Sequence, residues 1–230
     1  MIAFLHMLKA GGTTLRRLLE DVYQEGLVTD YDDIPMSNRP QHVLQRRRRY
    51  QTLHSQGLNP SPQIVFGHFV LSKYRGLEQC LQFATMFRDP VPRVVSHYFH
   101  YLRNIGLERN EILPVGITLE EFARLPKYRD MYLFLLGGLG IDELDYVGIT
   151  EEFEASVALY FKIFPHELAE EVVKRATDLR LNQASEYVDA TDYLHEQGLF
   201  NNIHRSQRLN EKMYSRAKAR FNTLCRKHGV

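Results

Sequence analysis

Ile2-Ala3-Phe4-Leu5-His6-Met7-Leu8-Lys9-Ala10-Gly11-Gly12-Thr13-Thr14-Leu15 opens the chain and decides its fold. Ile2 to Leu5 is a short apolar run of the kind a buried strand requires. The small residues Ala10 to Thr14 break that run, and Leu15, Leu18, Leu19 and Val22 then recur at helical spacing. The order is strand, tight loop, helix. Glycines in such a turn let the backbone approach a phosphate, and the helix N-terminus behind them aims N–H groups and partial positive charge at it. Lys9 adds a full charge, and the hydroxyls of Thr13 and Thr14 add donors. The lysine precedes the glycines instead of standing directly before Ser or Thr, so the turn is not the nucleoside-triphosphate version of this loop.

Outward from that segment, the pattern continues as strands alternating with helices. Ile64 to Phe66 reads as a strand ending at Gly67 and His68, Leu81 to Phe87 as another, and Tyr146 to Ile149 as a further one. Val91, Val94, Val95, Tyr98, Phe99 and Leu102 form a helical stripe, with helices also expected at Leu119 to Arg124 and around Tyr128 to Leu136. Thr150 is placed to cap a helix whose inner face is Phe153, Val157, Phe161 and Phe164, with Glu151 and Glu152 in its first turn. Leu209, Met213, Ala217, Phe221, Leu224 and Cys225 mark a long closing helix. Between residues 29 and 62 the periodicity is lost among Pro35, Pro40, Pro60 and Pro62, leaving an excursion with one short helix around His42 to His54. The expected fold is α/β: a P-loop-like three-layer arrangement with a central parallel sheet, one domain over residues 1–230.

Composition narrows the function classes. With 29 basic against 28 acidic residues there is no global field to draw the protein to nucleic acid, so an anion site has to be local. The apolar start lacks a basic n-region and is too short for a signal peptide or a membrane span, which points to a cytoplasmic protein. Cys80 and Cys225 stand far apart and read as small apolar groups. His97 and His100 have no further cluster to complete a metal site, so no metal is expected. The run Arg46 to Arg49 reads as a solvated basic helix face, with a groove for an acidic glycan as the alternative, and Tyr98, Phe99 and Tyr101 read as core, with Tyr98 or Tyr101 facing an acceptor as the alternative.

A second segment carries chemistry: Phe87-Arg88-Asp89-Pro90-Val91-Pro92-Arg93-Val94-Val95-Ser96-His97-Tyr98. Arg88 ends a strand, where open parallel sheets bind ligands, and Ser96 lies about two turns into the next helix. Taken alone, Arg88 with Asp89 can equally be a local ion pair, and Ser96 a solvated helix residue.

Together the two segments resemble the carbohydrate sulfotransferases related to the heparan sulfate 2-O and 6-O enzymes, which show a His-x-Pro-Lys-x-x-Gly-Thr segment near the start and Arg-Asp-Pro-x-x-Arg-x-x-Ser after a later strand. The resemblance implies transfer of the sulfuryl group of 3′-phosphoadenosine 5′-phosphosulfate (PAPS) to a hydroxyl acceptor, a glycan. It implies that Lys9, Ala10, Gly11, Gly12, Thr13 and Thr14 hold the 5′-phosphosulfate, that Arg88 and Ser96 hold the 3′-phosphate, and that His68 is the general base. Val147-Gly148-Ile149-Thr150-Glu151 resembles a Gly-Leu-Thr-Glu segment that lies near the nucleotide, which adds Thr150. The closing helix with Met213, Tyr214, Ala217 and Phe221 matches as well. His6 and His97 are the rival bases. The resemblance runs from Phe4 to Phe221 and is thin over residues 30–62 and 108–145. Leu8 stands where the family has proline and Asn210 where aspartate is common, and a chain that begins at its first strand suggests a free, bacterial-type member. The other readings are a P-loop kinase or nucleotide phosphotransferase, and a nucleotide-binding module without catalysis.

Overall fold

A computed structural model describes residues 1–31, 33, 40–58, 62–77, 80, 82–104, 113–183 and 190–230. Pro35, Pro60 and Leu81 lie outside the described residues. The centre is a five-stranded parallel sheet in the order β2-β3-β1-β4-β5, formed by β1 (Ile2–Leu5), β2 (Leu27–Asp30), β3 (Ile64–Gly67), β4 (Gln82–Phe87) and β5 (Tyr146–Ile149). β1 lies in the middle, buried along its whole length, with Leu5 level with Gly67 on one side and Thr85 on the other. Its unbroken apolar run is what a strand covered on both faces needs.

The chain leaves β1 through α1 (Gly12–Tyr23) toward β2, and leaves β4 through α3 (Pro90–Arg103), α4 (Leu119–Arg124), α5 (Pro126–Arg129) and α6 (Met131–Leu136) toward β5 on the opposite side. Connections that diverge in this way open a crevice between the carboxyl ends of β1 and β4. The remaining helices are α2 (Pro40–Gln56), α7 (Phe153–Ile163), α8 (Ala169–Gln183), α9 (Ala190–Glu196), α10 (Phe200–Ser206) and α11 (Arg208–His228). α7 and α11 pack on β5, and α8 packs on α1 and α7. Aromatic rings join the layers: Phe4 stacks on Phe66 at 5.0 Å, and Tyr160 of α7 meets Tyr146 edge-on at 5.3 Å. No helix among the described residues is long and apolar enough to cross a membrane.

Two expectations need correction. Leu27–Asp30 is a strand, where the excursion was expected to be setting in. It is an edge strand with Val28 and Thr29 in solvent, so it lacks the apolar run that marks β1. Thr150 does not cap a helix: its hydroxyl donates to the Phe87 carbonyl at 2.9 Å, residues 150–152 form a 3₁₀ turn, and α7 begins only at Phe153. The helix expected around His42 to His54 extends from Pro40 to Gln56, with Arg47, Arg48 and Arg49 exposed on it. Cys80 is a buried thiol and Cys225 a half-buried one.

Candidate functional site

The loop after β1 holds two left-handed residues, one on either side of Ala10. Lys9 has φ of 64° and Gly11 of 75°, both left-handed. Gly11 takes this conformation at no steric cost, whereas a lysine there costs on the order of 1 kcal/mol, which the surroundings must offset. Gly12 is required for another reason: a Cβ at that position would lie 1.9 Å from Cδ2 of His6, whose ring fills the space beneath the turn. α1 then starts with no side chain capping it and no acidic residue in its first turn. Ala10 is buried, with its N–H on the Met7 carbonyl at 3.3 Å, while Thr13 is exposed and Thr14 half-buried at the mouth.

Arg88, at the end of β4, reaches across the crevice and donates from Nη1 to the Lys9 carbonyl at 3.2 Å. The loop's unusual residue is thus braced by the arginine of the second segment. Arg88 is held in turn, its carbonyl accepting from the Tyr132 hydroxyl. Thr150 completes the rim: with its hydroxyl anchored on β4, its Cγ2 faces the position a Cβ of Gly11 would take, at 3.4 Å. Asp89 caps α3, accepting from the Val91 N–H at 2.9 Å, its own N–H goes to Glu151 at 2.9 Å, and the Arg88 charge acts on its carboxylate. An aspartate directly before Pro90 is an N-cap signal visible in the sequence.

Cations dominate this crevice. Burial lowers the Lys9 ammonium from its ordinary range, and next come the positive charges of Arg103 and Arg88. Arg103 stands with Ser96 and His100 at i, i+4, i+7 on α3, a single stripe of that helix. His100 is lowered by burial and then by Lys9 and Arg103, which places this stripe within electrostatic reach of the loop. Ser96 is half-buried on the stripe. Residue-by-residue matching passed over Arg103; its signal is the spacing from Ser96.

His68 follows β3 and is half-buried. Its Nδ1 lies 2.6 Å from the carbonyl oxygen of His6. A carbonyl only accepts, so Nδ1 carries the proton and Nε2 keeps its lone pair. Burial pulls the imidazole down to about 4, the bond to His6 opposes this, and His100 adds to the lowering, so the ring is neutral at pH 7. The rival histidines are engaged differently. His6 is buried under the loop, 3.0 Å from the Tyr31 hydroxyl through Nδ1, and its ring lies 4.3 Å from that of His68. His97 is buried against Phe122 and Tyr128. Tyr31, which meets His68 edge-on at 4.8 Å, belongs to the stretch where sequence patterning is weakest.

Apart from this crevice, two open clefts of about 590 and 460 Å³ flank α10 and α11 and share His204, Glu211 and Ser215. The smaller one is bounded by Asp89 and Tyr214. Among the described residues no cluster of three or more His, Cys, Asp or Glu side chains is arranged to hold a metal ion. No protein-family model matches the chain, and no curated protein matches it.

Proposed function

We propose that this chain is a sulfotransferase that moves the sulfuryl group of PAPS to a hydroxyl of a carbohydrate acceptor, in the manner of the family its two segments resemble. The observation that carries the reading is the meeting of those segments, 79 residues apart, at the divergence of β1 and β4, where Arg88 grips the carbonyl of Lys9. A left-handed lysine ahead of an uncapped helix, among cations that repel one another, is an environment an anion would relieve.

The chemistry follows from the residues. Sulfuryl transfer, like phosphoryl transfer, spreads charge over equatorial oxygens with entering and leaving oxygens in line, so positioned cations supply most of the stabilisation. The acceptor oxygen forms a bond to sulfur while the bond from sulfur to the bridging phosphate oxygen breaks, and adenosine 3′,5′-bisphosphate departs. Lys9 neutralises charge growing on that oxygen. His68, neutral and with its tautomer fixed, takes the acceptor's proton on Nε2. Gly11 to Thr14 hold the 5′ side, Arg88 and Ser96 the 3′-phosphate, and Thr150 borders the nucleotide.

Thermal unfolding of the purified chain tests the reading. Adenosine 3′,5′-bisphosphate at about 100 times its dissociation constant is expected to stabilise by about 2.7 kcal/mol, whereas ATP with magnesium leaves the midpoint unchanged. The reverse result sinks the proposal in favour of a phosphotransferase.

A further inference from the structure

Lys73 is a buried charge that the proposed reaction leaves unused. Its Nζ donates to Asp30 Oδ2 at 2.6 Å and to Asp33 Oδ1 at 2.9 Å, and the Tyr74 hydroxyl donates to the same Asp30 oxygen at 2.6 Å. Lys73 and Asp33 are only 9% and 3% exposed. Buried ion pairs of this kind add little stability over apolar side chains of similar size, and their best-attested use is to fix one segment against another.

The two carboxylates sit on either side of Tyr31. Asp30 closes β2 and Asp33 lies three residues on, so one ammonium from the turn after β3 pins both ends of this short span. α2 is tied to the same place, with Arg46 donating to the Asp33 carbonyl at 3.4 Å and the His54 ring to the Lys73 carbonyl at 3.1 Å. Tyr31 is thereby held where its hydroxyl meets His6 Nδ1 and its ring edge meets His68, while the Arg16 guanidinium lies 5.7 Å from its ring centre. The hydrogen bond from His68 to His6 fixes one ring atom of the imidazole, and the Tyr31 ring, set at 87° to it with centroids 4.8 Å apart, fills the space beside the rest.

We propose that Lys73 is a positioning residue for His68: through Asp30 and Asp33 it fixes Tyr31 against the His6 and His68 rings and so holds His68 with Nδ1 on the His6 carbonyl and Nε2 available. Its catalytic meaning rests on the reading of His68 as the base, and the experiment separates the two. Long-range proton–nitrogen NMR of the full chain, labelled in its histidines, reports the tautomer and titration of His68 directly. In the wild type a single Nδ1–H tautomer is expected down to about pH 5.

Lys73→Met combined with Asp30→Asn and Asp33→Asn leaves no buried charge unpaired. This variant is expected to give a mixture of tautomers and a titration moved up toward 6.5, and kcat is expected to fall about tenfold with donor affinity unchanged. A folded triple variant whose His68 keeps its tautomer and titration overturns the proposal. Should the triple variant not fold, Tyr31→Leu decides, since unchanged His68 signals in that variant overturn it equally. Full activity in His68→Ala would defeat the base assignment while leaving the tautomer result standing.

Discussion

The crevice between β1 and β4 and the clefts along α10 and α11 both gather charge, but only the crevice buries a cation among others of its own sign. In the clefts carboxylates are engaged by neighbouring side chains: the His204 ring lies 3.3 Å from Glu211, and Tyr214 donates to Glu151 at 2.9 Å. In the crevice the charges acting most on Lys9 are Arg103 and Arg88, both of its own sign. Like charges held together by the fold raise its energy unless something outside the chain neutralises them. The crevice, where like charges act on one buried ammonium beside an uncapped helix start, is therefore the better candidate for an anion.

The contrast is broken or sharpened most strongly at Lys9. Lys9→Ala is expected to lower kcat about 10²–10³-fold and to remove the stabilisation by adenosine 3′,5′-bisphosphate. Steady-state kinetics with a glycan acceptor panel, beside thermal unfolding, measures both, and a fully active variant would strip the crevice of its role. Gly12→Ala comes next. Its new Cβ collides with the His6 ring, so a loss of about 1–3 kcal/mol is expected in urea unfolding, together with weaker nucleotide binding.

A smaller effect is expected from pH. His6, His68 and His97 are all held below the ordinary histidine value by burial, so the unfolded chain binds protons that the folded chain refuses. Stability is then full above about pH 6.5 and is lost as pH falls from there, for His68 down to about 4. Urea midpoints at pH 7.5 and 5 should show the drop, and His68→Asn should reduce it. The smallest effect is expected in the clefts: Arg208→Ala with Lys212→Ala, both exposed, should change nucleotide binding by less than about twofold. A larger loss would transfer the anion site to α11.

Much of the crevice was legible before folding. The apolar run, the glycine turn and the helical stripe of residues 2–22 are local signals, and they placed β1, the loop and α1 where they stand. Arg88 at a strand end and His68 after Gly67 were legible for the same reason. The edge strand β2 was not, because four half-exposed residues leave no periodicity to read. Thr150 misled because a threonine before two glutamates is a good cap in isolation, yet here β4 offers its hydroxyl a carbonyl.

By itself, then, the amino-acid sequence determined the buried strands and the amphipathic helices and which of them carry a lysine, an arginine or a histidine, since side-chain periodicity and turn chemistry act over a few neighbouring residues. Only the tertiary structure decided that β1 and β4 lie side by side, that Arg88 touches the Lys9 carbonyl, that the Arg103 charge acts on Lys9, and that Tyr31 meets His68 at right angles. Those relations depend on sheet order and on contacts between residues tens of positions apart, which no local pattern encodes.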